Sequence, residues 1–359
     1  MAKKAKVWSG TEWVDLAAAT TDLSQYPNMT TTPISGFRNA IINGGFDINQ
    51  RGFTSVTTVG TFGFDRWRLG TGGNGTTTYT PVNFTPGNAI SGYEPVSHAR
   101  LVTTGQSTSA VNSILVQPIE NVRTFAGQTI TISFWAKAAS GTPKVAIELD
   151  QQFGTGGSTR VTTYAGQATI STSWARYSVT VTVPSISGKT IGAENYLGVF
   201  LWTSAGTDFN ARTGSLGIQS NTFDFWGVQV EQGSIATPFE QRPIGTELSL
   251  CQRYFYRFSD GGYVTNYAGG TVESADAAAF AGGSFPVTMR RIPDLSFGAN
   301  FKFYSPATLT RTPVINQNRC STTHFSVNVT FGGGGTVGQA WSLYNGTGGN
   351  AFLDYSSEL

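Results

Sequence analysis

Residues Thr129–Ala138 read TITISFWAKA and residues Ala175–Val183 read ARYSVTVTV. In the first, Ile130, Ile132 and Phe134 occupy alternate positions; in the second, Tyr177, Val179, Val181 and Val183 do. A strand turns successive side chains to opposite faces, so this alternation marks strands with one buried face. The same grammar repeats on both sides. HARLVTT, SILVQPI, KVAIELDQQF, RVTTYAGQATI, NYLGVFLWT and TFDFWGVQVEQG are short runs divided by Gly, Pro and Asn turns. Such spacing over about 200 residues predicts a two-sheet sandwich.

Composition agrees. The 359 residues contain 44 Gly and only 12% charged side chains, and β-branched and aromatic residues are abundant. The formal net charge of +2 lacks the concentrated basic face that nucleic-acid binding requires. Lys3, Lys4 and Lys6 form the one basic cluster and read as a solvated tail. Cys251 and Cys320 leave room for one disulfide but not for a disulfide framework or a zinc site. No apolar run approaches the length of about 20 residues that spans a bilayer, and no signal-peptide core follows the lysines. The expectation is a chain made and folded in a cytoplasm, without membrane insertion.

Three regions are expected. Residues 1–36 carry Trp8 and Trp13 around a Ser-Gly turn, a small hairpin, followed by a polar stretch with too little apolar surface to fold alone. This reads as an extended N-terminal arm that docks elsewhere. Residues 37–243 form the main sandwich. Residues 244–359 begin GTELSLCQRYFYRF, where Thr246 can cap a short helix, and continue as a smaller C-terminal β-sandwich domain.

Between the last two lies VEQGSIATPFEQRP, residues 230–243, with Glu231, Glu240 and Arg242 around a turn. Glycosidases need two carboxyl groups about 5–10 Å apart in a cleft, and this spacing permits that. Yet Glu231 ends an alternating strand, Pro238-Phe239 signals an extended exit, and Arg242 is a ready partner for either acid. The stretch reads as a structural corner. GTGGNG at 70–75 matches a dinucleotide fingerprint formally, but a strand pattern follows it instead of a helix, so it reads as a loop. With only His98 and His324, no nucleophile–His–acid or zinc grouping can be assembled.

NAIINGGFDINQRG, FGFDRW, TISFWAKA, SWARYSVTVTVP and FDFWGVQVEQG together resemble the jelly-roll carbohydrate-binding modules attached to polysaccharide hydrolases. With VQVEQGSIATPFEQRPIGTELSLCQRYFYR and FPVTMRRIP, the order over residues 37–293 resembles a module of bacteriophage tail-fibre and virion proteins. The KVWSGTEWVDL start resembles attachment ends of phage structural proteins, which implies virion attachment through Trp8 and Trp13. The resemblance implies an all-β jelly-roll fold and a non-enzymatic virion protein located in the tail or a fibre, commonly a homotrimer. Its implied partners are other virion proteins and host surface polysaccharide. It also implies a structural calcium between the first and last strands, where Asn43, Asp47 and Asp224 fall; no other cofactor is expected. Trp202, Tyr164, Tyr263, Tyr267, Trp341 and Tyr344 lie beside loops rich in Gly, Ser, Thr and Asn, the adaptable composition of recognition surfaces, and are the candidate ligand-binding residues. The alternatives are a capsid decoration or tail-scaffold protein with no ligand, and a glycan hydrolase.

Overall fold

A computed structural model describes residues 6–8, 13–15, 37–87, 90, 92–258, 266–274, 277–279, 282–298, 301–304, 314–317, 320–330, 336–345 and 351–359. Near the N-terminus, β1 (Lys6–Trp8) and β2 (Trp13–Asp15) pair antiparallel with Trp8 opposite Trp13. The chain divides into two compact units. One comprises residues 1–45, 57–60 and 69–241, the other residues 46–56, 61–68 and 242–359. Two segments that the sequence pattern places in the sandwich, 46–56 and 61–68, thus belong with the C-terminal unit.

The first unit is an all-β jelly-roll sandwich. Its strands are β3 (Arg68–Gly72), β4 (Thr76–Asn83), β5 (Ser97–Thr104), β6 (Asn112–Glu120) and β7 (Thr129–Ala138). They continue as β8 (Lys144–Gln152), β9 (Val161–Thr169), β10 (Ala175–Thr182), β11 (Tyr196–Ala205) and β12 (Asn221–Gln232). One five-stranded sheet runs β10-β7-β12-β5-β4 and the other β3-β6-β11-β8-β9. Alternation decides what enters the core: Ile130, Ile132 and Phe134 of β7 are fully buried, as are Leu197, Val199 and Leu201 of β11. Hydroxyl groups pair inside it, with Thr103 Oγ1 2.9 Å from Ser113 Oγ and Thr203 Oγ1 donating to the same hydroxyl at 2.7 Å. The glycine stretch at 70–75 is a strand end and a bend leading into β4, with no helix.

Residues 39–44 thread this core and are held by both sheets. Ala40 N donates to Val230 O at 2.9 Å and Val228 N to Gly44 O at 3.0 Å, which binds the segment to β12. The Gln117 amide of β6 accepts from Ile42 N and donates to Ile42 O, each at 2.8 Å. A Cβ on Gly44 would stand 2.1 Å from the Val228 carbonyl oxygen, so only glycine permits this approach.

Stretch 230–243 is a structural corner. Glu231 is 2% exposed; its carboxylate accepts from Thr237 N at 2.9 Å, Thr237 Oγ1 at 2.6 Å and Gln229 Nε2 at 2.8 Å. Glu240 accepts from the backbone N–H groups of Arg38 and Asn39 at 3.3 and 2.8 Å. Phe239 packs on Trp226 with ring centroids 5.0 Å apart. Arg242 lies 3.2 Å from Glu247 of the helix that follows, within the C-terminal unit.

In the second unit the helix runs Ile244–Gln252, with Pro243 and not Thr246 at its N-cap. Proline's fixed φ suits a helix start, so Thr246 falls inside the first turn. The strands that follow are β13 (Phe255–Phe258), β14 (Asn266–Ser274), β15 (Ala277–Ala279), β16 (Gly283–Ser284), β17 (Asp294–Phe297) and β18 (Phe301–Tyr304). Last come β19 (Val314–Gln317), β20 (His324–Phe325), β21 (Val327–Thr330), β22 (Ala340–Asn345) and β23 (Leu353–Ser356). They form sheets β13-β23-β17, β18-β22-β14-β15-β21-β19 and β16-β20 around Phe285, Met289, Phe325, Val329, Leu353 and Tyr355. Cys251 is fully buried and both cysteines are free thiols. Among the described residues no helix is long and apolar enough to cross a membrane.

Segments 46–56 and 61–68 enter this second unit through aromatic and charged contacts. Phe46 packs against Phe64 and Trp67, with centroids 5.4 and 5.2 Å away. Asp65 accepts from Gln50 N at 3.0 Å and lies 3.5 Å from Arg51 Nη1. Arg66 pairs with Glu358 and covers the Tyr254 ring.

Two predictions arise from these constraints. Gly44→Ala is expected to lower unfolding stability by more than about 2 kcal/mol, measured by urea denaturation, because β12 must give way. Burial pushes the Asp65 carboxyl up to about 6, against the opposing pull of Arg51 and Gln50. Its unfolded value is about 3.9, so the folded state takes up a proton in between. Hydrogen-exchange protection of β13 and β23 should therefore rise as pH falls from 7.5 to 5 and level off near 4, and Asp65→Asn should flatten that rise.

Candidate functional site

The outward face of sheet β3-β6-β11-β8-β9 carries a group of polar and aromatic side chains around the candidates Trp202 and Tyr164. Cross-strand register assigns its members. Trp202 stands opposite Ile114 and Ala146, Phe200 opposite Val116 and Glu148, Gly198 opposite Pro118 and Asp150, and Tyr196 opposite Glu120 and Gln152. On β9, Tyr164 stands opposite Glu148 and Thr162 opposite Asp150. A period of two places Ala146, Glu148, Asp150 and Gln152 in one outward row.

One part of this face is roofed. After β11, a 3-10 turn (Thr207–Phe209) and a one-turn helix (Asn210–Thr213) fold back over it. Ile114, Val116, Ala146, Phe200, Trp202 and Leu216 form a small apolar cluster beneath, with Phe209 against it. The Phe209 ring centroid is 5.2 Å from that of Trp202. Arg212 closes the roof: Nε and Nη2 donate to Glu148 at 2.6 and 2.9 Å, and its guanidinium carbon lies 4.9 Å from the Trp202 ring centre. Trp202 Nε1 donates to Glu148 Oε2 at 2.9 Å. Gln167 Nε2 fastens the helix end through the carbonyls of Thr213 and Gly214, at 2.7 and 3.0 Å. Burial raises the Glu148 carboxyl pKa, and Arg212 and Trp202 offset this only in part.

The part beside the roof stays open. Tyr164 is 40% exposed, its ring lying over Gly214 so closely that a Cβ there would stand 2.4 Å from it. Tyr196, Gln152 and Thr162 are half-buried. Asp150 accepts from Gln152 Nε2 at 3.0 Å and lies 3.7 Å from the exposed Arg160. Such a surface can stack a sugar ring on tyrosine and exchange hydrogen bonds with hydroxyl groups through amide, carboxylate and guanidinium.

Of the six aromatic candidates, the structure brings Trp202 and Tyr164 onto this face, but only Tyr164 reaches solvent. Trp202 is fully buried, because the 206–218 excursion covers it. Trp341 is 4% exposed and belongs to the core of the second unit. Tyr267 and Tyr344 lie on β14 and β22, with side chains outside the described residues, as is Tyr263 altogether. The side chains of Trp8 and Trp13 likewise fall outside them.

The residues of the calcium trio have separate surroundings. Asn43 is fully buried, and Asp47 is exposed and belongs to the other compact unit. Asp224 is gripped by Arg100, whose Nε and Nη2 donate at 2.7 and 2.9 Å. Burial would raise its carboxyl pKa, but Arg100 and His98 overcome this and hold it at about 2. A carboxylate already neutralised by a guanidinium fork is a poor calcium ligand. Among the described residues no three His, Cys, Asp or Glu side chains stand together as a metal group. Residues not anticipated are Glu148, Arg212, Asp150, Gln152, Arg160 and Tyr196. The alternation of KVAIELDQQ could have shown the first row; Arg212 had no signal, since its partner lies 64 residues away.

Residues 39–195 match the family model described as a carbohydrate binding domain. No curated protein sequence matches the chain. Among solved structures, the CBM22-2 xylan-binding domain of Paenibacillus barcinonensis Xyn10C is similar at 19% identity, over 47% of this chain and 92% of that one, with a TM-score of 0.31. A structure described as "CBM4 structure and function" is similar at 17% identity, over 54% of this chain and 99% of that one, with a TM-score of 0.27. The enzymatically active domain of bacteriophage CBA120 tailspike protein 4 is similar at 14% identity and a TM-score of 0.33, over 55% of this chain and only 22% of its own. The sandwich thus carries a segment similar to carbohydrate-binding domains.

The roof's closing ion pair is testable. Arg212→Met leaves the Glu148 carboxylate buried without its cation and should cost about 3 kcal/mol in urea denaturation. It should also make Trp202 more accessible to a fluorescence quencher. Adding Glu148→Gln should restore part of the loss, because the stranded charge is then gone.

Proposed function

We propose that this protein is a non-catalytic glycan-binding virion component, a bacteriophage tail fibre or receptor-binding protein that attaches to host surface polysaccharide without turnover. The carrying observation is the match of residues 39–195 to a carbohydrate binding domain, on a sandwich whose open sheet face presents Tyr164 among polar side chains. The sequence resemblance to tail-fibre modules over residues 37–293 supports the virion setting. On this reading the arm holding Trp8 and Trp13 joins other virion proteins. The assembled form is a homotrimer, and several weak sites engaging one cell raise the effective concentration of each. Glu231 and Glu240 are engaged in structural hydrogen bonds, which favours binding over hydrolysis.

The test is adsorption of the purified full-length protein to host cells and isolated surface polysaccharide. Tyr164→Ala should weaken binding about three- to tenfold, since a stacked aromatic contributes about 0.5–1.5 kcal/mol beyond its buried area. Unchanged affinity, or release of reducing ends from the polysaccharide, would overturn the reading. Imaging that locates the protein on the capsid shell would favour the decoration role.

A further inference from the structure

The opposite sheet, β10-β7-β12-β5-β4, has its own group of outward side chains at the end away from the 230–243 corner. Register sets Arg100 and Lys137 on either side of Asp224, as cross-strand partners on β5 and β7. Thr80 of β4 continues the row beyond Arg100. Past Lys137, Trp174 lies just before β10, half-buried, with Lys137 Nζ 5.3 Å from its ring centre. His98 is wedged between Phe84 and Trp174, with centroids 4.7 and 5.3 Å away, so the indole rests on a fixed aromatic base.

The charges here do not cancel. Arg100 and Lys137 share one carboxylate, and their side chains are 35% and 33% exposed. Arg100 spends Nε and Nη2 on Asp224, leaving Nη1 without a partner among the described residues. Lys137 reaches Asp224 only at 3.6 Å, longer than a hydrogen bond. His98 is 4% exposed; its Nε2 lies 3.4 Å from Asp224, and its Nδ1 has no hydrogen-bond partner among the described residues. The group therefore offers an aromatic plane, an excess cation and donors unspent on the protein.

We infer that this face is a second carbohydrate site, selective for an anionic sugar that stacks on Trp174 and places its anion against the Lys137 ammonium and the outer edge, Nη1, of Arg100. The aromatic face takes the C–H side of a pyranose ring, and the excess positive charge selects against its neutral counterpart. A uronic-acid carboxylate is the anion favoured here, because the Lys137 ammonium and Arg100 Nη1 keep donors that charge-assisted hydrogen bonds to a carboxylate can use. The inference rests on the glycan-binding reading only for the choice of a sugar as ligand. Its residues are separate from Tyr164, which lies on the other sheet.

Titration calorimetry on the full chain would test it with a hexuronate oligosaccharide, the neutral oligosaccharide of the same linkage, and a hexose phosphate. The hexuronate should bind, weakening as salt screens the exposed charges. Lys137→Met should reduce its affinity three- to tenfold and Trp174→Ala at least tenfold, while Tyr164→Ala leaves it unchanged. Lys137→Gln guards against a folding artefact and should reproduce the Lys137→Met loss at an unaltered melting temperature. The same residue dependence for the hexose phosphate would support the anion site, with phosphate as the source. Equal binding of the neutral sugar, no hexuronate binding, or insensitivity to Lys137→Met would overturn the inference. Hexuronate binding that depends on Tyr164 alone would overturn it while leaving the first face intact; dependence on Lys137, without Tyr164-dependent adsorption to host polysaccharide, would do the reverse.

Discussion

The sandwich depends on how residues 39–44 satisfy their backbone inside a dry core. A buried peptide group without a partner costs about 1–3 kcal/mol, so a segment crossing between two sheets must bond to something. Here it bonds to both. The β12 backbone takes Ala40 and Gly44, and the Gln117 side chain of β6 takes both polar groups of Ile42. Asn39 completes the arrangement, accepting from Val230 N at 3.0 Å and donating to Val228 O at 3.1 Å. The 230–243 corner closes on the same strand, since Glu240 holds Asn39 N and Gln229 holds Glu240 N at 2.8 Å. Both ends of the unit are thereby clamped to β12, and the outward faces of the sheets are held in register.

Charge is scarce in this chain, and where it occurs it is placed with care. Arg212 on Glu148, Arg100 on Asp224 and Arg257 on Asp354 are all two-pronged pairs with one partner largely buried. Such pairs contribute little net stability once desolvation is counted, but a missing partner is costly, so they favour one arrangement over its alternatives. On one sheet, the pair shuts a roof over Trp202 and confines the accessible surface to the part around Tyr164. On the other, Arg100 and Lys137 exceed the single carboxylate between them, and that row is left with unspent positive charge. The same device closes one surface and primes another.

The sandwich was largely legible because alternation is a local signal. Ile130, Ile132 and Phe134 announce their buried face within five residues, and the strand fixes the geometry that makes the pattern meaningful. The corner at 230–243 was legible for a similar reason, since proline and an adjacent aromatic constrain the chain locally. The binding surface was much less so. An aromatic residue beside a glycine-rich loop is exposed only if nothing folds over it, and for Trp202 the covering residues lie in a separate excursion. Trp341 likewise lies inside, in the core of the second unit.

What the sequence alone determined is therefore the strand grammar and the all-β class, because both follow from a two-residue period. Only the tertiary structure decided which outward residues meet solvent. It also transferred segments 46–56 and 61–68 to the C-terminal unit and gave Arg212 to Glu148 and Arg100 to Asp224, across 64 and 124 residues of chain. Those pairings answer to desolvation and hydrogen-bond geometry across neighbouring elements, and neither quantity exists until the sheets have formed.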